Sequence, residues 1–205
     1  MAKIKLTKNE LKFQRDALKR FQRYLPTLQL KKQQLQMEVR HVREEIADLS
    51  QQMSELTEKG AATIELLAGP DAGGLAELLS VSAWHVGERN VAGIDVPIFR
   101  GVDFADVDYD LFATAPWFDD ALAMARKHIE LHLHRQLVEE MLALLEQELR
   151  VVTQRVNLFE KVKIPEAKEN IRMINIYLGD QQTNSVGRSK IAKGKCAQRD
   201  AALEA

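Results

Sequence analysis

No stretch of this sequence approaches the run of about 18 apolar residues that a membrane-crossing helix needs. Cysteine is almost absent. Cys196 stands alone, so no internal disulfide can form, which fits a reducing compartment. Net charge is close to absent as well. The formal value of -1 gives no global attraction to nucleic acid or to a membrane surface. A secretory h-region is not seen, because Met1-Ala2-Lys3-Ile4-Lys5-Leu6 runs directly into a polar helical pattern.

Catalytic signatures are missing too. The nearest approach to a phosphate-binding loop lies between Gly187 and Gly194, with six residues separating the glycines instead of four. Cys196 follows Lys195 where such a loop has Ser or Thr. His128 and His132 share one helix face at i, i+4, with His134 close by, but no glutamate sits where a zinc helix would carry it. Asp103, Asp106, Asp108 and Asp110 have part of a calcium-loop spacing without its glycine or terminal glutamate. These residues read as helix-edge histidines and a solvated acidic loop. No catalytic, cofactor-binding or metal residue is assigned.

What the sequence does have is a seam. Leu11, Gln14, Leu18, Phe21, Leu25, Leu28, Lys32, Leu35, Val39, Val42, Ile46, Leu49, Met53 and Leu56 recur at alternating steps of three and four. Only Gln14 and Lys32 in that series are not apolar. The mean step of 3.5 keeps one narrow stripe on a partner helix and winds the pair left-handedly. Residues 11–56 then form a rod about 70 Å long. Thr7-Lys8-Asn9-Glu10 is a capping box for its start, and Gly60 offers a stop. Pro26 removes one backbone hydrogen bond inside it and predicts a kink.

The pattern changes beyond this helix. Residues 61–68 read as a short helical extension, and residues 69–74 are a turn cluster. Val81, Trp84, Val86, Val91, Ile94, Val96, Ile98 and Phe99 are β-prone, interrupted at residues 87–90 and at Gly93, and predict a β-hairpin or two short strands. Residues 103–110 read as an acidic loop. Pro116 and Trp117 mark the restart of helix. A second stripe then runs through Leu131, Val138, Met141, Leu145, Leu149, Val152, Val156 and Phe159, with a small phase slip where two steps of four adjoin at Leu145. Ile164-Pro165 interrupts it, and a third stretch follows through Ile171, Ile174 and Leu178. After Gly179 the seam fades, and Gly187 and Gly194 weaken the helix further.

Two seams separated by a middle segment predict a chain that folds back on itself. Equal rise on both helices pairs residues whose numbers total about 187. Pro26 then comes level with Pro165, and both chain ends lie at one basic tip. The expected fold is mostly α: a long antiparallel two-helix coiled-coil hairpin with a small middle segment containing a β-hairpin. Residues 1–59 form the N-terminal helix, 60–116 the middle head, and 117–205 the C-terminal helix with its tip. Physical reasoning alone leaves a shaft, a cytoplasmic scaffold or tether, and a nucleic-acid-binding arm open.

Thr7-Lys8-Asn9-Glu10-Leu11 leading to Leu28-Gln29-Leu30-Lys31-Lys32 resembles the first helix of the D subunits of V-type (vacuolar/archaeal) ATPases. Arg155-Val156-Asn157-Leu158-Phe159-Glu160 followed by Ile164-Pro165 resembles the same family's C-terminal signature, and the order of elements matches throughout. Gln33-Gln34 stand where that family usually has Arg and an acidic residue, and Leu158-Phe159 where it commonly has Ala-Leu. The resemblance implies a noncatalytic rotor shaft without cofactor or metal. Its paired terminal helices would enter the hexamer of catalytic and nucleotide-binding subunits. The F subunit would bind its side, and a funnel-shaped subunit above the membrane ring would hold the other end. ATP hydrolysis would turn the shaft one way and ion flow the other. The location implied is cytoplasmic, peripheral to the membrane through the complex.

Overall fold

The computed structural model describes residues 4–67, 79–105 and 116–203. Its elements are helix α1 (Lys8–Leu67), strands β1 (Val81–Val91) and β2 (Ile94–Phe104), helix α2 (Phe118–Leu158), a π-helical turn (Phe159–Lys163) and helix α3 (Ile164–Leu203). The chain divides into two units. Unit 1 comprises Met1–Leu30 and Val152–Ala205, and unit 2 comprises Lys31–Val151.

One half of the expected capping box forms at the first turn of α1, while the Glu10 carboxylate accepts from Gln14 Nε2 at 2.9 Å and Thr7 N–H donates to the Lys5 carbonyl. Glu10 N–H donates to Thr7 Oγ1 at 3.2 Å, satisfying one of the donors a helix start leaves unpaired. Every seam position from Leu11 to Leu56 is buried or half-buried. The helix does not stop at Gly60 but runs on to Leu67, and Gly60 itself is buried. A glycine inside a helix costs only about 1 kcal/mol, which an otherwise helical neighbourhood absorbs. Pro26 also lies inside α1, on its exposed side. Pro26 cannot pair the Gln22 carbonyl, and both residues are exposed, while the Thr27 hydroxyl donates to the Tyr24 carbonyl at 2.8 Å.

Within unit 1 the early part of α1 runs antiparallel to the π-turn and α3. Phe21 packs against Phe159 with ring centroids 5.3 Å apart, and Arg15 Nη2 donates to Asn175 Oδ1 at 3.4 Å. These two pairs straddle the register that equal rise implies. Within unit 2 the remainder of α1 pairs antiparallel with α2. Lys31 meets Glu148 at 2.8 Å, Arg43 meets Glu146 at 2.6 Å, and Glu45 approaches His134 at 3.6 Å. The core of this pair is fully apolar: Leu35, Val39, Val42 and Leu49 from α1, and Leu131, Val138, Met141 and Leu145 from α2, are all buried. Leu149, in the expected seam, is half-buried.

The interruption expected at Ile164-Pro165 takes the form of the π-turn rather than a break. Val152, Val156, Phe159, Lys163, Ala167, Asn170 and Ile174 follow steps of 4, 3, 4, 4, 3 and 4, one residue too long for the heptad repeat. A π-turn bonds each N–H five residues back and so holds one extra residue. Ile164 N–H donates to the Phe159 carbonyl in this way. The wider turn keeps Ala167, Asn170 and Ile174 on the seam. It also eases the crowding that the Pro165 ring imposes on the carbonyl four residues earlier.

The middle segment is a two-stranded antiparallel hairpin in unit 2. Residues 87–90 do not interrupt it: β1 continues through them to Val91. The chain reverses at Ala92-Gly93, where φ is 51° and 82°, the backbone of a two-residue primed turn. The Asn90 side chain closes that turn by accepting from Gly93 N–H at 3.0 Å and donating to Asp95 at 2.7 Å. Gly87 lies under the Arg100 side chain, where a Cβ would collide with the guanidinium. Phe99 stacks on His134 at 4.7 Å and Arg126 lies 5.3 Å over the Phe104 ring, so β2 is fastened to α2. Helix α2 begins at Phe118, next to Trp117. Asp119 and Asp120 in its first turn complement the helix dipole, and Phe118 and Leu122 pack with Leu79 and Trp117.

Candidate interaction surface

The residues weighed above for chemistry do not assemble a catalytic site. The glycine-flanked stretch around residues 187–196 is helical and lies within α3. Its N–H groups bond along the helix and are not turned toward a phosphate. His134 is engaged by Phe99 and Glu45, while His132 is exposed and His128 half-buried. Asp103 lies near the end of β2 with its carboxylate 2.7 Å from His85 Nε2. Asp106, Asp108 and Asp110 lie outside the described residues, as do the turn cluster at 69–74 and most of the acidic loop. Among the described residues no group of three or more His, Cys, Asp or Glu could hold a metal ion. No described helix is long and apolar enough to cross a membrane.

What the molecule offers instead is surface. Every residue of α3 from 179 to 199 is exposed. Val186 and Ile191 are among them, and Arg188, Lys190, Lys193 and Lys195 make this stretch basic. A helix without a buried face is ordinarily held by something outside the chain or is marginal in water. The start of α1 is basic too, with Lys8, Lys12, Arg15, Lys19, Arg20 and Arg23. Lys8 shares a groove with Gln181 and Arg188 of α3, so the basic groups from both ends of the sequence meet within unit 1.

Apolar side chains add to this surface. In unit 1, Leu158 and Val162 stand at i, i+4, and Met173, Ile176 and Tyr177 at i, i+3, i+4. Each set shares a helix face, and all five are exposed. Phe13 and Tyr24 of α1 are more than half exposed. In unit 2, Met37 is 70% exposed, and the hairpin exposes Val81, Trp84, Val86 and Ile98. Contiguous apolar groups of this kind mark sites of association, whereas a singly exposed residue such as Met37 is ordinary. Among the described residues, one ion pair clearly perturbs its own titration. The hydrogen-bonded Arg172 guanidinium holds the exposed Glu169 carboxyl below the usual carboxylate range, and Glu169 raises Arg172 in return.

Sequence reasoning found the seam but missed three of its small or polar members. Ala17, Ala167 and Asn170 are all buried, and none is a large apolar residue. Asn170 lies three residues past Ala167 and four before Ile174, so the 3-4 step could have found it.

Comparison with known proteins is uniform. The family described as the D subunit of ATP synthase matches residues 10–194. The chain is 42% identical over 200 residues to the V-type ATP synthase D subunit of Borreliella burgdorferi, covering 98% of each chain. It is 34% identical over 200 residues to that of Chlamydia muridarum, covering 96% of this chain and 98% of the relative. Against that of Chlamydia caviae it is 36% identical over 201 residues, covering 97% of this chain and 96% of the relative.

Proposed function

The chain belongs to the D-subunit family of V-type ATP synthases, and from its geometry we propose how it serves that complex. It is a noncatalytic central-stalk component that transmits torque. Torque passes between the catalytic hexamer and the ion-translocating ring through the paired helices, residues 1–59 and 117–205. The hairpin of β1 and β2, fastened to α2, forms a head. The bare end of α3 enters the hexamer, the F subunit lies along the coiled coil, and a funnel-shaped subunit above the membrane ring holds the other end. The protein is then cytoplasmic and reaches the membrane only through the complex.

The observation that carries this reading is the exposure of every residue from 179 to 199 in a stretch that remains helical. A surrounding partner supplies what the chain's own packing does not. The seam supports torsional stiffness: Leu35, Val42, Leu145, Val152 and Ile174 are almost completely shielded from solvent, and close-packed interiors yield little under load.

Two measurements test the reading. Co-expression with the F subunit of the same organism should yield a one-to-one complex. Failure to co-purify at low salt, with both proteins folded, would remove that partner from the proposal. Removal of residues 180–205 should leave that complex intact while lowering ATP-driven rotation or ion pumping under load. Full coupling by the truncated complex would sink the assignment of α3 as the inserted end.

A further inference from the structure

We propose that a groove in the unit 1 seam is a carboxylate socket, which receives an aspartate or glutamate side chain from the encircling hexamer. The proposal rests on the hexamer reading above. The groove has a volume of about 230 Å³. Gln14, Ala17 and Arg20 of α1 line it on one side, and Lys163, Ala167 and Asn170 on the other.

Its space arises from small side chains. Ala17 is 7% exposed and Ala167 3%, so both occupy core positions, yet each is too short to fill the gap as leucine would. Asn170 is 7% exposed, and its side-chain amide has no hydrogen-bond partner among the described residues. No described polar side-chain atom is sealed from solvent without a partner, so this amide opens onto the groove. Water therefore reaches this amide through the groove, and a ligand seated there takes over that hydrogen bond.

The neighbouring charges favour an anion. Gln14 is already engaged, donating to Glu10 at 2.9 Å. Glu166 also lines the groove, but Lys163 Nζ stands 3.7 Å from its carboxylate and offsets it. Arg20 forms no ion pair among the described residues. The Arg20 guanidinium, the Lys163 ammonium and the Asn170 amide thus line the groove above a floor of two alanines. A carboxylate on a short apolar stem matches this: its oxygens accept from Arg20 and Asn170, and its methylenes rest on Ala17 and Ala167.

The test compares full-length Arg20→Gln, Asn170→Leu and Ala17→Leu variants with the wild type. Binding to the hexamer assembled from the same organism's subunits is measured, with urea denaturation of each isolated chain in parallel. Arg20→Gln and Asn170→Leu should each weaken binding about tenfold, the loss of one charge-assisted hydrogen bond. Ala17→Leu should raise the stability of the isolated chain yet weaken binding, because it fills the socket. If the variants bind like the wild type, or if Ala17→Leu strengthens stability and binding together, the groove is a packing gap and the proposal is wrong. If the wild type itself fails to bind, the hexamer reading falls and takes the socket with it. A second arm titrates glutarate into the isolated protein while the Asn170 side-chain amide is followed by NMR. A saturable shift abolished by Arg20→Gln supports carboxylate recognition by the socket, and a shift that persists unchanged in Arg20→Gln would overturn it.

Discussion

At the scale of single residues, burial sorts the helices into positions that carry stability and positions that do not. Ile174 is fully buried, whereas Met37 is 70% exposed. Ile174→Ala should lower unfolding free energy by about 2–5 kcal/mol, and Met37→Ala should change it by less than about 0.5 kcal/mol. Urea denaturation of both variants checks the contrast. The Glu169–Arg172 pair is a different case, because both groups are exposed and solvent screens them. Its sign is still defined. A carboxyl held low when folded contributes above its unfolded pKa and loses that contribution as pH falls through the folded value. Arg172→Ala should therefore return Glu169 to the ordinary carboxylate range in an NMR titration, with no measurable change in unfolding at neutral pH.

At the scale of elements, two local devices are open to test. Ala92 holds φ at 51°, a conformation that costs a non-glycine residue roughly 1 kcal/mol. Ala92→Gly should slow amide exchange across β1 and β2, and unchanged or faster exchange would argue against the strain. The π-turn makes a sharper prediction. If it stores the one residue by which the seam exceeds its heptads, deleting Glu160 together with Pro165→Ala should restore a continuous α-helix at small cost. Inserting an alanine beside Glu160 should instead rotate the following residues by about 100°, turn Ile174 away from α1 and destabilise the chain by several-fold more. Equal denaturation midpoints for deletion and insertion would rule out the storage role. Most of this element structure was legible beforehand. The Thr7 cap, the turn at Gly93 and the helix restart near Trp117 are local chemistry. The helix through Gly60 and the strand through residues 87–90 were not, because a single glycine weakens an element by less than its surroundings supply.

For the whole molecule, the division between packed and bare helix is what matters. Residues 179–199 contribute no buried side chain, so removing residues 180–205 should leave the thermal unfolding midpoint of the isolated protein nearly unchanged. Amide exchange in that stretch should be fast in isolation and slow inside the complex. Purified protein should neither hydrolyse ATP nor retain nucleotide, as suits a stalk component. One-to-one nucleotide binding at micromolar affinity would contradict that role.

The helical seam, the hairpin and the family were all readable from residue order, since period and turn chemistry act over a few positions and survive in any context. Tertiary packing decided the rest. It turned the break at Pro165 into a π-turn, because Ala167, Asn170 and Ile174 had to stay against α1. It carried α1 through Gly60 and β1 through residues 87–90. It also placed Ala17, Ala167 and Asn170 around one groove, a meeting of residues from opposite ends of the chain that no local pattern encodes.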